Sequence, residues 1–482
     1  MAALFASPAS AMDWRLTPSL GAAATLTDNA NQSARDPQGS LILSVTPSFT
    51  LQSEGSRRVQ AQMNYGLTGV TRLGQDQSND LFSSLTASGK AELMENFLFI
   101  DASAGISQQL ISLFGSTVDP TINNNNRAPA GTFSISPYIQ KRFGNFAEGL
   151  ARYSLSGGIF GDNAAGNSAA ANSLQDSFAA SLNSGTRFDT LTWGLNYSYS
   201  HANNNGIPDS TFESASATLG YALTRKFRVF GTLGQEWNDY SSTTGTDGSS
   251  WSAGFGWAPS RRTSIEASIG ERFFGRTYSL SASHRTRTST WTASYTEGLN
   301  DITSQVLNGT PVYTFLCPGT NPGDPPQFIN SEFSSPPAPG CFLLPGASRL
   351  MTSLVNGVFV SKTFNAGVFW GISRLTYSVN VFDVQRESQV VATQDSSLGV
   401  TGSVSYRMTP LTSLSGALSF NRNEQSTPAV NDDTYSLNLG LSHQFDAKTS
   451  GAMTYSYQRR DSSIANSDFG TNSLSASISM GF

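Results

Sequence analysis

The chain has 482 residues and a net charge of −5, and only 13% of its residues are charged, about half the share of an ordinary soluble domain. It contains no run near the roughly 18 apolar residues of a membrane-spanning helix, which excludes a helical membrane protein. Its slightly acidic balance points away from nucleic acid. Gly is abundant (44 residues) and aromatics reach 11%, and apolar and small polar residues alternate too regularly for a disordered chain.

The first eleven residues read as a signal-peptide remnant. Ala9-Ser10-Ala11 fits the small-x-small rule of secretory cleavage, so the folded chain is expected over 12–482, and the signal is expected to be incomplete at its start. From residue 13 a period of two dominates. The pattern predicts strands over 13–27, 40–52, 57–70, 80–93, 96–111, 131–142, 146–158, 174–187, 190–203, 211–224 and 227–239. It continues over 249–260, 263–273, 276–285, 288–299, 350–363, 367–383, 395–408, 411–423, 433–446, 449–460 and 472–482. In the last of these, Leu474, Ala476, Ile478, Met480 and Phe482 alternate with Ser473, Ser475, Ser477, Ser479 and Gly481. Each segment has one apolar face and one face of small polar residues, the pattern of a wall with lipid outside and water inside. The fold class is therefore all-β: a transmembrane, antiparallel, up-and-down β-barrel of about 22 strands.

The connections agree. Glu54–Ser56, Glu95, Gly144–Asn145, Asp189, Arg225–Lys226, Arg261–Arg262, Thr286–Arg287, Asn365, Thr409–Pro410 and Ala447–Lys448 mark tight turns, and longer loops alternate with them, up to the stretch 300–349. Tight turns on one side and long loops on the other are the periplasm/exterior asymmetry of outer-membrane barrels. That phase places both termini at the periplasmic end. A terminal Phe482 on a closing strand also resembles the insertion signal of such barrels. Pro47 and Pro137 fall inside strands, where the missing N–H predicts bulges or fraying. The alternation changes phase between Ile372 and Leu375, which predicts a bulge near Ser373–Arg374.

Cys317 and Cys341 share the 300–349 loop. In an oxidising compartment such a pair is most simply a disulfide, and a metal site is the weaker reading because no His accompanies it. Twenty-two strands enclose a lumen too wide to be filled by their own side chains. Because the alternation starts at residue 13, no N-terminal plug is expected, and a TonB-dependent transporter is not the expected class. Either a long loop folds inward, with 300–349 the best candidate, or another protein occupies the lumen, or the channel is open.

Basic residues gather at the tight-turn end, and most acidic residues lie in the long loops. Arg58, Arg142, Arg152, Arg187, Arg228, Arg285 and Arg407 carry lumen parity, as do Glu92, Asp101, Glu148 and Glu236. They form either a selectivity field or mutual ion pairs that stiffen a wide barrel. Catalysis is not expected. His201, His284 and His443 lie on separate strands, two of them with outward parity, and no GxGxxG, Walker A or HExxH pattern occurs. The Asp/Asn-rich stretches 119–126 and 431–433 lack EF-hand spacing. No cofactor or metal is expected.

One resemblance is more specific. Trp14-Arg15-Leu16-Thr17-Pro18, followed by Thr25-Leu26-Thr27-Asp28-Asn29-Ala30, resembles the opening of the PEP-CTERM system-associated outer-membrane proteins. Ser44-Val45-Thr46-Pro47 and Asn96-Phe97-Leu98-Phe99-Ile100-Asp101-Ala102 fit the same pattern. The resemblance implies an outer-membrane barrel linked to exosortase sorting and exopolysaccharide production, and it carries no binding residues with it. The function expected is a conduit for exopolysaccharide or another envelope polymer. The alternatives are a structural barrel that sheathes or docks a partner, and a general diffusion porin. Expected partners are outer-membrane lipid and lipopolysaccharide, the barrel-assembly machinery during insertion, and a periplasmic or lumen-occupying protein or an anionic polymer.

Overall fold

The computed structural model describes residues 13–74, 78–110, 112, 114, 119, 121–123, 125–160, 172–205, 207–242, 245–301 and 357–482, and the backbone of 313–317, 327–331 and 342–343. The strands are β1 (Asp13–Thr27), β2 (Ser40–Glu54), β3 (Val59–Leu73), β4 (Ser78–Met94), β5 (Leu98–Leu110), β6 (Arg127–Phe143), β7 (Ala147–Phe160) and β8 (Ser173–Ser184). Next come β9 (Leu191–Asn204), β10 (Ile207–Thr224), β11 (Phe227–Asp239), β12 (Gly248–Ser260), β13 (Thr263–Arg272), β14 (Gly275–Arg285) and β15 (Ser289–Asp301). Three short strands, β16 (Tyr313–Cys317), β17 (Gln327–Ser331) and β18 (Phe342–Leu343), form a separate small sheet within the 302–357 connection. The main sheet resumes with β19 (Val358–Ile372), β20 (Leu375–Ser388), β21 (Gln394–Thr409), β22 (Thr412–Ser426), β23 (Ala429–Gln444), β24 (Thr449–Ser462) and β25 (Phe469–Gly481).

Each strand of the 22-stranded sheet pairs antiparallel with the next in sequence, β15 pairs with β19, and β25 returns to β1. The sheet is a closed barrel. Closure removes the edge whose unpaired N–H and C=O groups would be costly in hydrocarbon. One rim carries the tight turns and the start of β1 and end of β25, and is called here the turn end. The other, the loop end, carries the connections after β1, β3, β5 and the further odd-numbered strands to β15, and then those after β20, β22 and β24.

Burial is inverted relative to a globular core. Leu16, Leu81, Leu219, Leu233 and Leu418 stand more than half exposed on the outer face, where only lipid makes that favourable. All seven tryptophans take the outward register. Trp14, Trp193, Trp257, Trp291 and Trp370 sit toward the turn end, and Trp237 and Trp251 toward the loop end. Phe146, Phe188 and Trp193 form one contact cluster in the lower belt, and Trp291 packs edge-on against Trp370. These are the interfacial girdles expected from aromatics at segment ends.

The seam between first and last strands gives the Thr27-Asp28-Asn29 step a physical role. Asp28 accepts from the backbone N–H and the side-chain amide of Asn472, both at 2.7 Å. Buried Asn29 donates to the carbonyls of Gly470 and Ser33 and accepts from the Ser33 N–H. Thr27 meets Thr471 across the seam at 3.1 Å. At the other rim the Phe482 N–H donates to the Pro18 carbonyl, using the one backbone group that proline leaves for the ladder.

Two local expectations are corrected and a third is narrowed. The phase change between Ile372 and Leu375 is a tight turn at Ser373–Arg374, with Ser373 at φ 53°, and not a bulge; Asn365 lies inside β19. The strand read as 350–363 therefore begins at Val358. At Pro47 and Pro137, of the bulge or fraying expected, the fraying is found: the β2–β3 and β6–β7 ladders have gaps there without a change of register, because a missing N–H removes a bond but adds no residue. The register shifts that do occur, such as those at Glu92/Met94 and Arg407/Thr409, sit beside turns.

Candidate functional site: the lumen and its two ends

The inner wall is built from directly opposed hydroxyls that satisfy one another. Ser19 meets Ser48 at 2.7 Å, Thr46 meets Thr68 at 2.9 Å, and Thr218 meets Thr232 at 2.9 Å. Ser268–Ser279, Ser378–Ser403 and Ser413–Ser442 are each 2.6 Å apart. Small side chains on facing strands reach each other because opposed Cβ atoms lie close in an antiparallel pair. The result is a polar wall with few strong anchors left over.

At the loop end the inward-facing pairs are buried or half-buried. Arg72 pairs with Asp80, and Arg460 pairs with Asp432, which is 1% exposed. Glu236 holds Arg272 in a fork at 2.7 Å on both nitrogens, and buried Arg386 lies 3.5 Å from Asp395. Tyr240 packs beside this rim, and burial with the nearby Glu236 carboxylate pushes its hydroxyl up to about 12. At Arg72 and Arg460 part of the burial comes from the described residues of the β5–β6 connection, which lie against the inner face. Its Ile122 packs among Ile42, Val70 and Phe469, with Phe82 alongside, all on the inward face of their strands. The Arg72 guanidinium donates to the carbonyls of Thr121 and Ile122, and Arg460 donates to that of Phe114. The connection thus reaches from β5 and β6 back to β3 and round to β24. Sequence reasoning placed the inward loop at 300–349. Cys341, the side chain of Cys317 and hence their pairing lie outside the described residues, as does most of that loop.

The turn end is wet. Arg58 pairs with Glu95 at 3.3 Å, Arg142 with Glu148 at 3.3 Å, and Arg15 with Glu54 at 3.6 Å, all substantially exposed. Arg228 pairs with Glu266 and lies over the Phe230 ring. Arg152 pairs with Asp101 at 3.0 Å and lies 4.0 Å from the centre of the Tyr138 ring, which stacks on Phe99. Glu92 accepts from the Asn96 N–H and closes its own turn. Arg58 and Arg187 belong to turns and not to the wall; Arg285 and Arg407 lie on β14 and β21 near this rim. Among the described residues no carboxylate pairs with Arg187 or Arg285. The ion-pair reading thus fits Arg58, Arg142, Arg152 and Arg228, while Glu236 belongs to the opposite rim. Sequence reasoning missed Arg72, Arg272, Arg386, Arg460 and Asp432; the inward parity of a charge at a strand's loop end was the available signal.

All three histidines face outward, each against the threonine directly opposite: His201 and Thr211 at 2.9 Å, His284 and Thr263 at 2.8 Å, His443 and Thr412 at 2.9 Å. They lie on β9, β14 and β23, too far round the wall to form one site. In the 431–433 stretch, Asp432 and Asp433 are committed to Arg460 and Arg422. Among the described residues no three His, Cys, Asp or Glu side chains converge on a metal-sized site.

No protein-family model and no curated protein matches the chain. Solved structures do. A ferric enterobactin receptor (PfeA) variant from Pseudomonas aeruginosa superposes with a TM-score of 0.52 at 11% identity, over 97% of this chain and 80% of that one. The siderophore receptor PirA from Acinetobacter baumannii gives 0.51 at 8% identity, over 97% and 80%. The FrpB iron transporter from Neisseria meningitidis gives 0.50 at 10% identity, over 97% and 82%. At these identities the likeness is one of fold. Together with the closed 22-strand wall and its apolar outer band, it decides the class. The protein is an integral, multi-pass outer-membrane β-barrel. Its outer band contacts lipid, and its inner wall faces water.

Proposed function

We propose that this barrel is a conduit across the outer membrane for a hydrophilic envelope polymer, exopolysaccharide being the cargo that best fits the wall. The observation that carries the reading is the inner face: hydroxyls paired with one another across strands. Such a wall wets a polymer without gripping it, and passage requires sites favourable enough to enter and weak enough to leave. The resemblance of the Trp14–Pro18 and Thr25–Ala30 stretches to PEP-CTERM system-associated barrels supports the same cargo. In this reading the turn end faces the periplasm and receives the polymer, and the barrel-assembly machinery inserts the chain by its closing strand. A deletion strain tests it: secreted polysaccharide falls while other outer-membrane proteins keep their levels. Unchanged polysaccharide counts against export.

A second reading has one observation in its favour. Phe114, Thr121 and Ile122 of the β5–β6 connection lie against the inner face at the loop end, as a barrel that only sheathes or docks a partner would allow. Uptake of a small chelate, which the names of the structural neighbours suggest for those proteins, rests on fold alone. Planar-bilayer recordings separate the readings, since a sheath is electrically silent and a diffusion porin conducts without discriminating between cargoes.

A further inference from the structure

Many inner-wall hydroxyls pair with one another across strands; a patch at the turn end carries larger polar side chains instead. A groove of about 680 Å³ opens over β2–β6. Gln52 and Gln62 stand directly opposite each other on β2 and β3, Gln60 faces Lys90 on β4, and Lys90 faces Asp101 on β5. All point inward by register. Among the described residues the three carboxamides make no hydrogen bond, although each carries two donors and an acceptor. Asp101 gives one oxygen to Arg152, and its other oxygen has no donor. Lys90 has no carboxylate within ion-pair distance and lies 5.5 Å and 5.8 Å from the Phe99 and Tyr138 ring centres. Those rings stack on each other beneath the cations, so they form a rigid floor and not a free stacking face.

We infer that this groove is a saccharide-binding site, the place where the polymer of the proposed conduit is first held. Adjacent strands are about 4.8 Å apart, close to the length of one pyranose unit, so neighbouring columns of side chains present donors and acceptors to successive sugars. A diol needs a partner that both donates and accepts at each hydroxyl, and a glutamine carboxamide does both. Lys90 adds a donor, which also admits acidic sugars.

The inference rests on the conduit reading for its role but not for its test. Maltohexaose is added to the full-length protein in planar bilayers and, separately, titrated calorimetrically in detergent, with a polyethylene glycol dimethyl ether of matching size as a probe that accepts but cannot donate. The site predicts current block and binding heat with the sugar and neither with the ether. Gln60→Ala/Gln62→Ala weakens binding about tenfold while the barrel keeps its heat-modifiable mobility, which reports folding. Thr218→Val/Thr232→Val, which removes a self-paired couple on β10–β11, away from the groove, leaves binding intact. Sugar binding equal to that of the ether, or an undiminished affinity in the glutamine variant, overturns the site. A silent bilayer with intact calorimetric binding overturns the conduit and leaves the site standing.

Discussion

The two ends of the lumen carry similar charges and treat them differently. At the loop end Arg460 and Asp432 are 6% and 1% exposed; at the turn end Arg58 and Glu95 are 57% and 72% exposed. Two ions taken out of water cost several kcal/mol each and recover it only through close pairing and further hydrogen bonds. The loop end supplies these: Arg460 also donates to Phe114, and Asp432 also accepts from Ser462. Exposed pairs gain little because water screens them. Identical residue types thus build a locked rim above and a wet mouth below. At Arg72 and Arg460 the difference is that residues of the β5–β6 connection, Phe114, Thr121 and Ile122, reach the inner face and accept from them, which a two-residue turn cannot do.

Breaking the locked rim gives the largest effect. Asp432→Ala leaves Arg460 buried without its carboxylate and lowers unfolding stability by about 3–5 kcal/mol, read from the urea midpoint of tryptophan fluorescence in micelles. A shift no larger than that of an exposed pair would erase the distinction between the ends. Next comes the seam. Asn29→Ala removes three hydrogen bonds from a buried side chain and costs about 1–3 kcal/mol. A normal midpoint in that variant would mean that ladder pairing alone holds β1 to β25. At the turn end Arg58→Ala shifts stability by less than about 1 kcal/mol, and added salt reduces even that.

The smallest effect is a titration. Asp446, in the β23–β24 turn, accepts from the backbone N–H groups of Lys448 and Thr449 at 2.7 and 2.8 Å. These bonds, led by that from Lys448, hold its carboxyl below the usual aspartate value. Because the folded value is depressed, its contribution is fully present above the unfolded carboxylate range, near 4, and is lost as pH falls through the folded value. Amide exchange at Lys448 and Thr449 should rise over that acid window in the wild type beyond its ordinary pH trend, and Asp446→Ala should abolish the step.

Much of the fold was legible because a lipid-facing wall must alternate without interruption; Leu474 to Phe482 alone fixed the inward and outward registers of β25. The turn at Ser373–Arg374 was misread because Asn365 carries the stronger turn signal, while Ser373 adopts a left-handed conformation (φ 53°) that its residue type does not announce. Of the site, parity placed Arg152 and Asp101 inside, but it could not say that Asp101 binds Arg152 and leaves Lys90 without a carboxylate. That depends on side-chain reach across three strands. The inward fold of the β5–β6 connection was hidden for a related reason: Ile122 looks like any loop residue until Ile42, Val70 and Phe469 are seen on the inner face.

The conduit itself is tested most directly by single-channel recording of the full-length protein in planar bilayers. A steady, large conductance is predicted, with block by maltohexaose stronger from the turn end than from the loop end. A folded, heat-modifiable barrel that inserts and stays silent would contradict the account.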